Sequence, residues 1–225
     1  MKSRLRIIHD AMPSNPREWA SEDPHAISLI CWHNRYNLGD EHRYDSETFH
    51  LELAMEADAD LEDRVYDLEN RHYQRLIRAG ASHEAACALV EARLARYVEK
   101  ALEGWYIVPI YMYDHSGISL STGPFSCRWD SGQVGWAVLS PEAAKNYPDP
   151  KKAIESEVET YSQYVSGDVW GFVLEEAKTC DTCGHTEWEE VDSCWGFYGS
   201  DPAENGIYDN LPQEVLDTCE VIGPW

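Results

Sequence analysis

Cys180 and Cys183 are followed by Gly184 and His185. A C-x-x-C-G turn lets two thiolates point at one zinc while the glycine admits the tight backbone. Zinc needs four ligands, and His185 with Cys194, eleven residues after Cys183, offers a set, with Cys219 in reserve. No second C-x-x-C exists, so the same turn also reads as a hairpin loop with free thiols. The strand, C-x-x-C, helix setting of a thioredoxin-like redox site is missing.

A second constellation lies between Tyr113 and Gly135. His115 could serve as base, Cys127 as nucleophile, and Asp114 and Asp130 as orienting carboxylates, the ingredients of a thiol-dependent hydrolase. A catalytic thiol wants a helix N-terminus or a cation beside it. Cys127 instead falls between apparent strands, with Arg128 as its only near cation in sequence. The competing account is architectural: Gly117, Gly123, Gly132 and Gly135 permit tight turns, and Asp130 and Ser131 bond local backbone. Nearer the start, His33, Asp40, Glu41 and His42 are metal-ligand types, but their spacing matches no helix-borne motif such as H-E-x-x-H. A polar loop that hydrogen-bonds itself is the plainer reading.

The remaining chemistry is charge. The chain has 225 residues, with 41 acids against 18 Lys and Arg, a net of −23. Such a field repels nucleic acid and anionic membranes and favours basic surfaces, which argues against a DNA-binding or RNA-binding protein. Between Asp149 and Glu220 there are 18 acids and three lysines. Glu155, Glu157 and Glu159 fall on an expected helix, and Glu175, Glu176, Glu187, Glu189, Glu190 and Asp192 on an expected strand pair. These nine are candidates to meet a basic partner, although an ordinary solvated surface would be acidic too.

Elements must position these groups. Residues 1–57 read as an irregular cap around one buried strand, Ala26 to Trp32. Leu61, Val65, Leu68, His72 and Leu76 recur at helical steps, Gly80 stops the turn, and Ser82 caps a second helix carrying Val90, Leu94, Tyr97 and Ala101. Residues 58–103 therefore read as an inserted helical hairpin. From residue 104 the pattern turns to strands at Trp105 to Tyr113, Gly117 to Ser121 and Gln133 to Leu139. A helix follows over Asp149 to Val165, then strands at Asp168 to Glu176 and Glu187 to Ser193 flanking the Cys180 loop, and a short helix or turn over Pro212 to Cys219. The order predicts an α+β fold, a mainly antiparallel sheet with packed helices, in one compact domain.

No window approaches the roughly 18 apolar residues of a membrane span, and the basic start leads into Ile7, Ile8, His9 and Asp10 rather than a signal core. Seven cysteines at irregular spacing fit reduced thiols, and a cytoplasmic location is expected.

The strings Tyr113 to Gly117, Pro124 to Gly135 and Asp192 to Gly199, with Asn15 to Trp19 and Trp32 to Asp40, resemble a family of uncharacterised proteins of bacteriophages and mobile elements. The resemblance implies a phage setting in a bacterial cytoplasm and supplies no catalytic residues. In that setting an acidic protein is expected to inhibit a host restriction, CRISPR or other nucleic-acid enzyme by filling its basic cleft, with spaced carboxylates imitating DNA phosphates. Two alternatives stand beside it: the His115, Cys127 and Asp130 hydrolase, and an adaptor acting through the helical hairpin. No cofactor is expected beyond a structural zinc.

Overall fold

The computed structural model describes residues 2–20 and 26–223. Two four-stranded sheets carry the fold, and the first is wholly antiparallel. Its centre is β3 (Tyr106–Asp114), rich in aromatic and β-branched residues, between β4 (Ile118–Ser121) and β5 (Ser131–Leu139). β2 (Ser28–Cys31) closes the far side of β5. A Cβ on Gly135 would run into the Ile30 carbonyl, so glycine permits that closure. One face is covered by the helix Pro150–Ser166, whose Ile154, Val158 and Tyr161 pack with Leu29, Ile110, Leu120 and Leu139. Asp149 caps its first turn by accepting from the Lys152 amide at 3.2 Å, and Gly167, at φ 78°, ends it. The other face meets a helix over Phe49–Ala57, through Phe49 and Leu53 on Ile30 and Val138.

The second sheet was not expected as a separate unit. β6 (Val169–Thr179) pairs with the long β7 (Thr186–Tyr198) on one side and with β1 (Ser3–His9) on the other. β8 (Glu220–Ile222) adds to β1 in parallel. Leu5, Ile7, Phe172 and Leu174 form its core face, covered by Ile207 and Leu211. The basic start is thus a strand, with Leu5 and Ile7 inward and Arg4 and Arg6 on the opposite face. The expected N-terminal cap gives one strand to each sheet, so residues 1–57 are not an independent layer. The α+β character holds, but the antiparallel sheet is two sheets.

In chain order the helices are α1 (Pro16–Ala20), α2 (the Phe49–Ala57 helix), α3 (Leu61–Asp67), α4 (Tyr73–Arg78), α5 (His83–Ala101), α6 (Pro141–Ala144), α7 (the Pro150–Ser166 helix) and α8 (Gln213–Thr218). α3 to α5 form the hairpin, with Gly80 at φ 91° in its turn and Ser82 Oγ accepting from the Ala85 amide at 3.2 Å. Its first arm is interrupted between α3 and α4 by a π turn, Leu68–His72. Leu94, Tyr97, Val98 and Ala101 pack on Ala54, Leu61 and Val65, so the base of the hairpin is part of the core.

Candidate functional site

His115, Cys127 and Asp130 do come together. β3 ends at Asp114, whose amide donates to the Asp130 carbonyl at 2.8 Å, and this bond pins the loop beside the strand end. Asp130 Oδ2 lies 3.5 Å from His115 Nδ1 and 3.5 Å from Cys127 Sγ. The order of groups is wrong for thiol activation. A nucleophile, base and orienter need the imidazole in the middle, whereas here the carboxylate stands between thiol and imidazole. Asp114 does not reach them through its side chain, because Arg35 Nη2 holds it at 2.5 Å and the Tyr36 hydroxyl at 3.2 Å. The same loop leaves Trp129 96% exposed.

Cys180 and Cys183 sit on the turn joining β6 to β7, with the Cys180 amide 2.8 Å from the His185 carbonyl and the Gly184 amide 2.9 Å from the Cys180 carbonyl. Hydrogen bonds from the Cys183 and Thr182 amides lower the Cys180 thiol to about 7. Cys194 does not join them. It pairs with Phe172, eight residues along β7 from Thr186. That is roughly 26 Å at about 3.3 Å per residue. Cys219 caps α8 and packs on the second sheet, while His185 approaches Glu187 at 3.9 Å. Among the described residues no three His, Cys, Asp or Glu side chains form a group able to hold a metal ion. The expected four-ligand zinc set is therefore corrected to a pair of thiols.

The early metal candidates are also drawn apart. Asp40 is taken by Arg17, which is 4% exposed and donates to Asp40 at 2.7 and 2.8 Å, to the Ile27 carbonyl at 2.7 Å, and to Glu157. Asp40 also accepts the Leu29 amide at 2.8 Å, and the Tyr161 hydroxyl accepts the Gly39 amide at 2.8 Å. This knot ties α1, the loop after β2 and α7 together. Burial, with the Asp40 charge adding, pushes the Cys31 thiol beside it up to about 12. His42 bonds the Cys31 carbonyl through Nε2 at 2.9 Å, and His33 stacks on Tyr36. Exposed Glu41 has no part in the knot.

Of the nine candidate partner-binding acids, two are corrected. Glu157 belongs to the Arg17 knot, where desolvation raises its pKa. Glu175, 8% exposed, is held below the ordinary glutamate range by the Arg4 hydrogen bond at 2.6 Å. Neither is free to meet a partner.

The other seven fall in two places. On α7, Glu155 and Glu159 are exposed and border a groove made of two adjoining cavities of about 510 and 520 Å³, which share Glu159, Gln163 and Asp168. Asp201 and Glu204, from the loop after β7, line its far end, and among the described residues no lysine or arginine lines either cavity. On the β6–β7 ribbon, register sets Glu176 opposite Glu189 and Lys178 opposite Glu187, with Glu190 opposite Glu175. Lys178 bonds Glu189, while Glu187, Glu190 and Asp192 are exposed. Sequence reading missed Asp168, Asp201 and Glu204 as groove residues. They were visible only as part of a charge excess, because the chain's return beside α7 brings them to Glu159.

No family model, characterised protein or solved structure matches the chain.

Proposed function

We propose that this protein works by binding, as an acidic phage-type inhibitor that fills the basic cleft of a host defence or nucleic-acid enzyme in place of DNA. The observation that carries the reading is the groove along α7. Glu155, Glu159, Asp168, Asp201 and Glu204 line it, and among the described residues no lysine or arginine does. Glu155 and Glu159 on the helix, and Asp168 at the start of β6, are held without the entropy cost of ordering a loop on binding, while Asp201 and Glu204 come from the loop after β7. The exposed acids of the β6–β7 ribbon extend the same field, and net charge steers a cationic surface toward the molecule. The same charge disfavours direct contact with nucleic acid and with anionic membranes, and the proposed partner is a cytoplasmic protein with a basic surface.

The test is recovery of the full chain from an expressing bacterium at low ionic strength, with mass-spectrometric identification of what copurifies. A nuclease or other nucleic-acid enzyme should be held, released as salt rises, and held less well by the Glu155→Gln, Glu159→Gln double variant. DNA should compete with the protein for that enzyme. A partner retained equally at low and high salt, and indifferent to the double variant, would remove DNA mimicry.

A further inference from the structure

A basic feature of this acidic chain lies between the arms of the helical hairpin. A cavity of about 350 Å³ is lined there by Arg64, Arg71, Arg75 and Arg93, with Tyr97 and His72, and its carboxylates are Asp63 and Asp67. The arginines are arranged rather than loose. Arg93 Nε donates to the Tyr97 hydroxyl at 3.0 Å, and the guanidinium carbons of Arg64 and Arg93 stand 5.5 and 5.7 Å from the Tyr97 ring centre. Both planar forks are thereby held on one aromatic side chain. Arg71 reaches Asp67 at 3.2 Å, and Arg64 reaches Asp58 beyond the cavity lining. Arg75 meets no carboxylate among the described residues.

Arg64, Leu68, Arg71 and Arg75 follow one another at steps of three and four along the first arm, so one side of that arm meets the groove that Arg93 and Tyr97 line from α5.

We infer that this groove binds a compact phosphoanion, of the kind carried by inorganic pyrophosphate or the diphosphate of a nucleotide. Guanidinium forks match phosphate oxygens two at a time. The volume is at the small end of ligand sites, which start near about 300 Å³. The net charge of −23 opposes a long polyanion such as DNA, whose phosphates would extend over the acidic remainder, but not a small anion that reaches several arginines at once.

The experiment is calorimetric titration of the full chain with inorganic pyrophosphate, and separately with ADP, at low ionic strength. Saturable one-to-one binding is expected, weakened at least tenfold in each of Arg75→Gln and Arg93→Gln and unchanged in Lys151→Gln on α7. Equal affinity for the two ligands assigns the site to the anion alone, and tighter ADP binding assigns it to a nucleotide; both support the site. Absence of saturable binding by either ligand overturns it, as does equal weakening by Lys151→Gln or tighter binding of a DNA duplex. Circular dichroism checks each variant's fold, and Arg93→Lys, which keeps the charge but loses the fork, should also bind more weakly. Should a variant unfold, the wild-type titration still decides whether the site exists.

Discussion

At Arg17 one guanidinium satisfies Asp40, Glu157 and the Ile27 carbonyl in a place water hardly reaches. Replacing it by methionine keeps volume but strands two carboxylates. Breaking a buried pair by removing one partner costs about 3–5 kcal/mol. Glu157 is partly exposed, so the lower end applies, and Arg17→Met should lose about 3 kcal/mol in urea unfolding. A loss under about 1 kcal/mol would mean that the knot behaves like an exposed ion pair. Nothing in the sequence announced this residue. Arg17 belongs to a single-turn helix without apolar periodicity, and its partners lie 23 and 140 residues away. Asp40 was legible as a chemical type but not by role, since a carboxylate that could hold a metal looks the same as one that holds an arginine. The thiol group was legible to the extent that His115, Cys127 and Asp130 meet. Which of the three stands in the middle depends on loop geometry that spacing does not encode.

At the scale of elements, α7 shows what local rules can fix. Asp149 caps it, Pro150 opens it, Ile154, Val158 and Tyr161 repeat at helical steps, and Gly167 stops it. Asp149→Ala should cost about 1 kcal/mol, read as a shifted denaturation midpoint with unchanged slope. A larger loss would mean that the cap also holds the adjoining loop. β3 to β6 were legible for a related reason, since each carries enough alternating or aromatic residues to bury a face, and β7 was legible from the same pattern although none of its residues is fully buried. β1 was missed because Arg4 and Arg6 alternate with Leu5 and Ile7. The charges drew attention to the basic start, while its apolar half faces β6 partners more than 160 residues away. The π turn was missed because Leu68, His72 and Leu76 satisfy an uninterrupted α-helical stripe, and a one-residue insertion leaves no compositional mark. Two sheets in place of one is likewise a matter of long-range pairing.

For the whole molecule, the same 41 carboxylates that would attract a basic partner also repel one another. Folding concentrates a net charge of −23, so part of the folding free energy opposes self-repulsion. Internal arginines relieve this at points such as Glu157 and Glu175, and Lys178 does so at Glu189, while no lysine or arginine among the described residues lines the cavities along α7. Salt should therefore act on the fold and on the complex in opposite directions. Between about 0.01 and 1 M ionic strength the Debye length shrinks from about 30 to about 3 Å, which removes most repulsion between exposed charges. The melting temperature of the isolated protein should rise by a few degrees, about 2–4 °C for each kcal/mol recovered in a chain of this size. Over the same range the proposed complex should weaken steeply, because the attraction across its interface is screened in the same way. Calorimetric melting of the free protein beside salt-stepped release of the captured enzyme measures both. A melting temperature that falls with salt would mean that net attraction among surface charges, not repulsion, dominates the fold. The exposed carboxylates would then be engaged within the molecule and not held open for a cationic cleft.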